Sequence, residues 1–250
     1  MDSAEGYELL KACTDGLGLS LSKSQWERFY LYLRLLQDWN TRMNLTAITE
    51  DAAVITKHFA DSLTVAPFLT DGGSTVPEGK TLCDIGTGAG FPGIPLKILF
   101  PELRLILVDS LAKRLTFLEE VIRQLGLTGV ETVHMRAEDF GRDPRFRDKI
   151  DFSTARAVAP MNVLLELCTP PLKSGGLFLA MKGGKDEGPF TAAAGKLSCK
   201  LEKTEKFSLK TFESDGTETS AERVIYVFRK KAQTPPAFPR KAGIPSKKPL

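Results

Sequence analysis

Thr81-Leu82-Cys83-Asp84-Ile85-Gly86-Thr87-Gly88-Ala89-Gly90-Phe91-Pro92 is a short apolar strand that runs directly into three alternate glycines. Glycine accepts the positive φ of a tight turn and lets the backbone approach a ligand closely. The helix expected over 92–100 follows at once, and Pro101-Glu102 ends it. Strand, glycine loop and helix in that order make a nucleotide-type binding unit.

The same texture continues on the C-terminal side. Residues 103–109 read as a second strand, with Leu105-Ile106-Leu107-Val108 as its apolar run. A helix over 112–125, closed by Gly126, leads to a third strand over 130–135. Further strands are expected over 151–155, 176–182 and 223–228, with a helix near 161–167. Short alternating strands and helices predict an α/β fold, a mostly parallel sheet with helices on both faces. Ligands of such folds bind at the carboxyl ends of the strands, near the topological switch point.

The first 70 residues read as helical. Trp26, Phe29, Tyr30, Leu33 and Leu36 recur at helical spacing, and Ser22 or Ser24 can cap that helix. A further helix over 50–69 places Val54, Ile55, Phe59, Leu63 and Val65 mostly on one side. Both helices read as cover for a sheet. Asp71-Gly72-Gly73-Ser74 and Pro77-Glu78-Gly79 form a linker.

The net charge of +3 is unevenly spread. Residues 229–250 carry seven Lys/Arg and no acid, which leaves the body at about −4. With its prolines, this tail reads as extended, either an electrostatic arm for phosphate backbones or a solubilising terminus. Cys13, Cys83, Cys168 and Cys199 are too far apart for a CxxC motif and read as small apolar residues in a reducing compartment. There is no signal-peptide pattern and no apolar run of about 18 residues, so a cytoplasmic protein without a membrane partner is expected.

The glycine loop alone allows two cofactors. A dinucleotide fingerprint wants Gly-x-Gly-x-x-Gly, but the spacing here is Gly86-x-Gly88-x-Gly90, with Phe91 at the third position. Pro92 also removes an N–H that a pyrophosphate would use. Both features favour a methyl donor over a nicotinamide. Asp109 ends the second strand, 19 residues after Gly90, where a carboxylate can accept both hydroxyls of an adenosine ribose, though Asp109 or Ser110 can equally cap the next helix. Ala137-Glu138-Asp139 follows the third strand, where a carboxylate or carbonyl can accept from an adenine amino group.

Several segments together resemble the bacterial RsmG family, also called glucose-inhibited division protein B. They are Asn44-Leu45-Thr46-Ala47-Ile48, His58-Phe59-Ala60-Asp61-Ser62, the loop from Asp84 to Leu96, Asp109-Ser110-Leu111-Ala112-Lys113-Arg114, Arg156-Ala157-Val158-Ala159 and Met181-Lys182-Gly183. Pro239-Arg240-Lys241-Ala242-Gly243-Ile244-Pro245 is similar to the ending of many members. The resemblance runs from about residue 40 to the tail. It implies a class I S-adenosylmethionine-dependent methyltransferase (Rossmann-like) fold, with a seven-stranded sheet and a helical N-terminal cap. The expected division is a cap over 1–70, a methyltransferase domain over 71–230 and a basic, proline-rich tail over 231–250. Implied cofactor contacts are Gly86, Gly88, Gly90, Phe91, Asp109, Ser110, Leu111, Ala137, Glu138 and Arg156. The implied substrate is 16S ribosomal RNA in the small ribosomal subunit or its precursor, at N7 of guanosine 527 in the 530 loop.

The residues agree with that chemistry by omission. Guanine N7 has a lone pair and no proton, so orientation and electrostatics suffice. There is no Pro-Cys pair for attack on cytosine C5. After the fourth strand Arg156-Ala157-Val158-Ala159-Pro160 stands where an amino-directed enzyme shows Asp/Asn-Pro-Pro-aromatic. Arg156 and Lys182 are the candidate catalytic residues, and Arg156 can hold a carboxylate or phosphate. His58, Lys97, Arg114 and Lys182 are candidate RNA contacts, with Lys57, Lys113 and Arg136 extending a basic rim. His134 reads as structural, and two distant histidines without a Cys/His cluster give no metal site. A monomer is expected. The competing reading is a methyltransferase acting on a small molecule or a protein.

Overall fold

The computed structural model describes residues 1–70, 74–183, 190–212 and 217–250, apart from the side chain of Phe207. The Asp71-Gly72-Gly73 part of the linker and Gly184 lie outside the described residues. Seven strands form one sheet in the order β3-β2-β1-β4-β5-β7-β6. They are β1 (Thr81–Ile85), β2 (Arg104–Asp109), β3 (Val130–His134), β4 (Ile150–Arg156), β5 (Leu172–Gly183), β6 (Cys199–Phe212) and β7 (Glu218–Lys230). The first five pair in parallel, and β7 pairs antiparallel to both β5 and β6. Strand order reverses between β1 and β4, which puts the switch point beside the glycine loop.

Successive residues of β1 and β2 feed different cores. Leu82, Leu105 and Leu107 join one apolar cluster; Cys83, Ile85, Ile106 and Val108 join the other. That is the period of two for a strand buried on both faces. The first cluster holds α1 (Ser3–Thr14), α2 (Lys23–Met43), α5 (Gly93–Leu99) and α6 (Ala112–Gln124). The second holds α7 (Ala137–Arg142), α8 (Met161–Cys168) and α9 (Thr191–Lys196). Among the described residues no helix is long and apolar enough to cross a membrane.

Ser22 caps α2 through a reciprocal box with Gln25, and Asn44 ends the helix at φ 47°. Trp26, Phe29, Tyr32, Leu33 and Leu36 are its buried stripe. Tyr32 stacks on Phe59 and Phe117, touches Phe91 and donates to the Ala89 carbonyl. The cap therefore shares its core with the glycine loop. Each large side chain buried there contributes roughly 1.5–3 kcal/mol.

The structure departs from the expected elements at three places. The helix expected over 50–69 is broken into α3 (Asp51–Val54), a π-helical segment (Ile55–Ala60) and α4 (Asp61–Leu63). Such π segments often carry functional side chains, and this one carries Lys57 and His58. β6 was not expected, and β7 begins five residues earlier than the apolar run at 223–228. Their outer halves, Ser208 to Thr211 against Thr219 to Glu222, are largely polar, so no apolar run marked them. The tail is also not extended: it is docked beside α7 and α8 and includes α10 (Ile244–Lys247). Lys230 is fully buried, donating to Asp148 at 3.1 Å and to the Thr169 and Leu172 carbonyls.

Gly90 has φ +97°, and a Cβ there would sit 2.7–2.8 Å from Tyr32 Oη, Ile94 and Leu118. Gly90→Ala is expected to destabilise the fold by about 2–4 kcal/mol through overpacking and backbone strain. Urea denaturation checks this; an unchanged midpoint would mean the cap and loop do not share a core.

Candidate active site

The loop after β1 is held by hydrogen bonds from two neighbouring strands. Gly86 and Thr87 donate their N–H groups to the Val108 carbonyl of β2 at 2.9 and 3.0 Å. Asp84, fully buried in β1, accepts the Thr87 hydroxyl at 2.8 Å and the Gly93 N–H at 2.9 Å, both on Oδ2. Burial pushes its carboxyl up to about 6, against those two hydrogen bonds. Asp109, at the end of β2, accepts the Gly88 N–H at 3.0 Å, the Leu111 N–H at 2.9 Å and an Arg114 nitrogen at 3.2 Å.

These contacts shape a cleft of about 440 Å³ at the carboxyl ends of β1, β2 and β4, within the range of small-molecule sites. Gly86, Gly88, Phe91, Asp109, Ser110, Ala137 and Arg156 line it together, joined by Arg114 and His58. Leu45, Thr46, Thr87 and Val158 also line it; all four lie in segments that carried the family resemblance, without having been singled out as contacts.

The other proposed contacts lie elsewhere. Gly90 packs behind the loop against Tyr32. Leu111 offers a backbone N–H to Asp109 and exposes its side chain. Glu138 turns its carboxylate away from the cleft to accept the Gly243 N–H at 2.8 Å. Lys97 does not reach a basic rim. It is 2% exposed, and its ammonium donates to the Pro101 and Leu103 carbonyls at 2.6 and 2.5 Å. Those residues precede β2, at the end of the sheet opposite the cleft, and burial lowers the lysine's pKa. Its place on a buried helix face was masked by the simple count of basic residues.

On the far wall, the His58 ring stacks on Phe91 at 4.6 Å, and the Arg156 guanidinium lies 5.0 Å from the same ring's centre. Arg156 donates to Asp61 at 2.8 Å, and Arg223 donates to the other Asp61 oxygen at 2.6 Å. Lys182 donates to the Ala159 carbonyl at 2.7 Å. Burial first, and Arg156 second, lower the His58 imidazole to about 4. Its Nε2 is 2.9 Å from the Thr46 hydroxyl. His134, by contrast, sits on Ser110 outside the cleft wall. Asp61 and Arg223 belong to the site as well. Asp61 lies inside the quoted His58–Ser62 segment, whereas Arg223, at a strand position, had no marker.

The residues fit an adenosine-bearing methyl donor. Gly86 and Gly88 have φ +70° and +61°, and beyond Gly88 a Cβ would enter open cleft space. Asp109 uses three of a carboxylate's roughly four lone-pair sites, and Arg114, at the rim, is the exposed partner. Sheet order, glycine loop and terminal carboxylate define a class I S-adenosylmethionine-dependent methyltransferase. Solved structures agree on the fold: the YcgJ protein of Bacillus subtilis has a TM-score of 0.51 at 14% identity, over 70% of this chain and 99% of its own. A precorrin-6y C5,15-methyltransferase of Geobacter metallireducens has a TM-score of 0.50 at 18% identity, over 69% and 88%.

The family model for rRNA small subunit methyltransferase G matches residues 25–219. The ribosomal RNA small subunit methyltransferase G of Desulfitobacterium hafniense is 49% identical over 98% of each chain. That of Acetivibrio thermocellus is 45% identical over 97% of this chain and 96% of its own. The chain belongs to the rRNA small subunit methyltransferase G family.

Asp109→Asn is expected to weaken S-adenosylhomocysteine binding at least about tenfold, because charge-assisted bonds at the strand end become neutral ones. Calorimetry measures it, and unaltered affinity would remove Asp109 from the site. His58 has a folded-state value below its ordinary 6.5, so its neutral form is favoured. The stability this contributes is present above pH 6.5 and is lost as pH falls through about 4. The imidazole should titrate near 4 by NMR; a midpoint at 6 or above would mean an open, solvated ring.

Proposed function

We propose that this enzyme transfers the methyl group of S-adenosylmethionine to N7 of a guanosine in 16S ribosomal RNA, guanosine 527 of the 530 loop, within the small subunit or its precursor. One observation carries the reading of the site. A second cavity, of about 330 Å³, adjoins the cofactor cleft and shares His58, Arg156 and Ala157 with it. A methyl group leaving the first cavity for the second crosses that shared wall.

The second cavity suits a nucleotide. Lys57, Arg156, Lys182 and Arg223 line it, with Asp61 as the one carboxylate among its described lining residues. Four cations against one acid favour a phosphate-bearing substrate. Asp61 is tied to two guanidinium groups, and both ring nitrogens of His58 are engaged, with Thr46 on one side and the Lys57 carbonyl and Arg156 on the other, while burial and Arg156 lower its basicity, so neither is a free general base. Guanine N7 needs none: its lone pair attacks without losing a proton, and catalysis rests on placement and charge. The bound cofactor supplies the electrophilic sulfonium methyl. Phe91, braced by His58 and Arg156, keeps the shared wall rigid. Ala157, at φ +56°, sets the backbone at that wall in a sparsely populated conformation of the kind found at functional sites.

Isolated small subunits lacking the modification should accept labelled methyl groups, and the label should be lost to ribonuclease and map to the guanosine. Label on protein would overturn the assignment. Arg223→Gln should lower methylation about tenfold at low salt and reduce the salt slope of RNA binding by about one. A variant that methylates subunits normally would place RNA outside the second cavity.

A further inference from the structure

The ending Pro239-Arg240-Lys241-Ala242-Gly243-Ile244-Pro245 lines neither cavity, yet it is held along its length. Glu166 of α8, fully buried, accepts the Arg240 backbone N–H at 2.7 Å and its guanidinium at 2.9 and 2.6 Å. Arg142, the last residue of α7, donates to the Pro239 carbonyl at 2.6 Å. Arg147, just beyond, donates to the Thr234 and Phe238 carbonyls at 2.7 and 2.8 Å. Glu138, the second residue of α7, accepts the Gly243 N–H.

Glu138 and Arg142 are four residues apart and so share one helix face. That face meets the tail. Gly141 adds close packing, since a Cβ there would lie 3.2 Å from Pro239. α7 has six residues, too short to hold its position without tertiary support. The other end of this helix matters for the cofactor: Ala137, its first residue, lines the cleft.

We propose that the tail is a clasp for the cofactor site, with Glu138 as a positioning residue that fixes Ala137 on the cleft wall by gripping the Gly243 N–H, and not a ligand of the adenine. The proposal rests on the cleft being the S-adenosylmethionine site. Arg142 and Arg147 secure the same clasp from the other side by taking tail carbonyls. The basic ending then acts on cofactor affinity.

Coupling between two sites is reciprocal, which allows a test on the unaltered full chain. Adding S-adenosylhomocysteine should slow hydrogen exchange at the Arg240 and Gly243 amides about fivefold or more; unchanged exchange with the cleft saturated would overturn the clasp. Calorimetry on the same sample separates the two ideas, because a chain that binds no S-adenosylhomocysteine refutes the cofactor site itself. Glu138→Ala should weaken binding about five- to twentyfold, and Glu138→Gln, which keeps an acceptor for Gly243, should restore it. The full-length Arg142→Gln/Arg147→Gln variant should weaken binding in the same direction, non-additively with Glu138→Ala. In both, the cofactor KM should rise with kcat kept within about twofold, as expected for lost uniform binding. Weakening by Glu138→Ala with full affinity in the arginine variant would mean that Glu138 touches the nucleoside directly.

Discussion

The Asp84 carboxylate is the joint on which the cofactor cleft hangs. A single oxygen, Oδ2, ties the Thr87 hydroxyl inside the loop to the Gly93 N–H at the start of α5. Burying a carboxylate is costly unless it is well satisfied, and the upward shift of its pKa records that cost. Polar donors already pointing at it offset part of the penalty. One strand over, Asp109 does the same for Gly88 and Leu111. Two carboxylates at the ends of adjacent parallel strands thus give a flexible glycine segment one shape, and that shape is the floor of the cleft.

The helical cap is part of this construction and not a lid laid over it. Tyr32 reaches the Ala89 carbonyl, and its ring meets Phe91. The π-helical segment brings His58 against Phe91, and Asp61 follows it to bridge Arg156 of β4 and Arg223 of β7. A buried carboxylate between two guanidinium groups keeps both cations in place where their mutual repulsion would otherwise separate them. The wall shared by the two cavities comes from this meeting of cap and sheet.

Basic residues in this chain divide by what surrounds them. Lys97 and Lys230 are buried under carbonyl groups and hold loops together. Arg142, Arg147 and Arg240 fasten the tail to α7 and α8. Lys57, Arg156, Lys182 and Arg223 face a cavity. A count of charges treats these groups alike. Their partners, which lie about 60 to 160 residues away in the chain for Lys230, Arg240 and Arg223, separate scaffolding from chemistry.

The local sequence determined the strand–glycine loop–helix unit, the alternation that makes a mostly parallel sheet, and the carboxylate after the second strand. These features depend on residues within one or two turns of each other: glycines at positive φ, apolar runs of strand length, prolines that stop helices. The family segments marked His58, Asp61, Arg156 and Lys182 together, but not what each would touch. Only the tertiary structure decided that Glu138 grips the tail, that Lys97 is buried away from the cleft and that the proline-rich ending is docked. It alone brought Arg223 beside Asp61. The Glu138, tail and Arg223 contacts join distant elements, through the antiparallel β7 entering between β5 and β6 and a tail returning across α7, whereas Lys97 turns to carbonyls four and six residues on. The polar outer halves of β6 and β7 carry no apolar run, because the face they bury is shared by a threonine: Leu209 and Thr211 turn inward while Ser208 and Lys210 stay exposed.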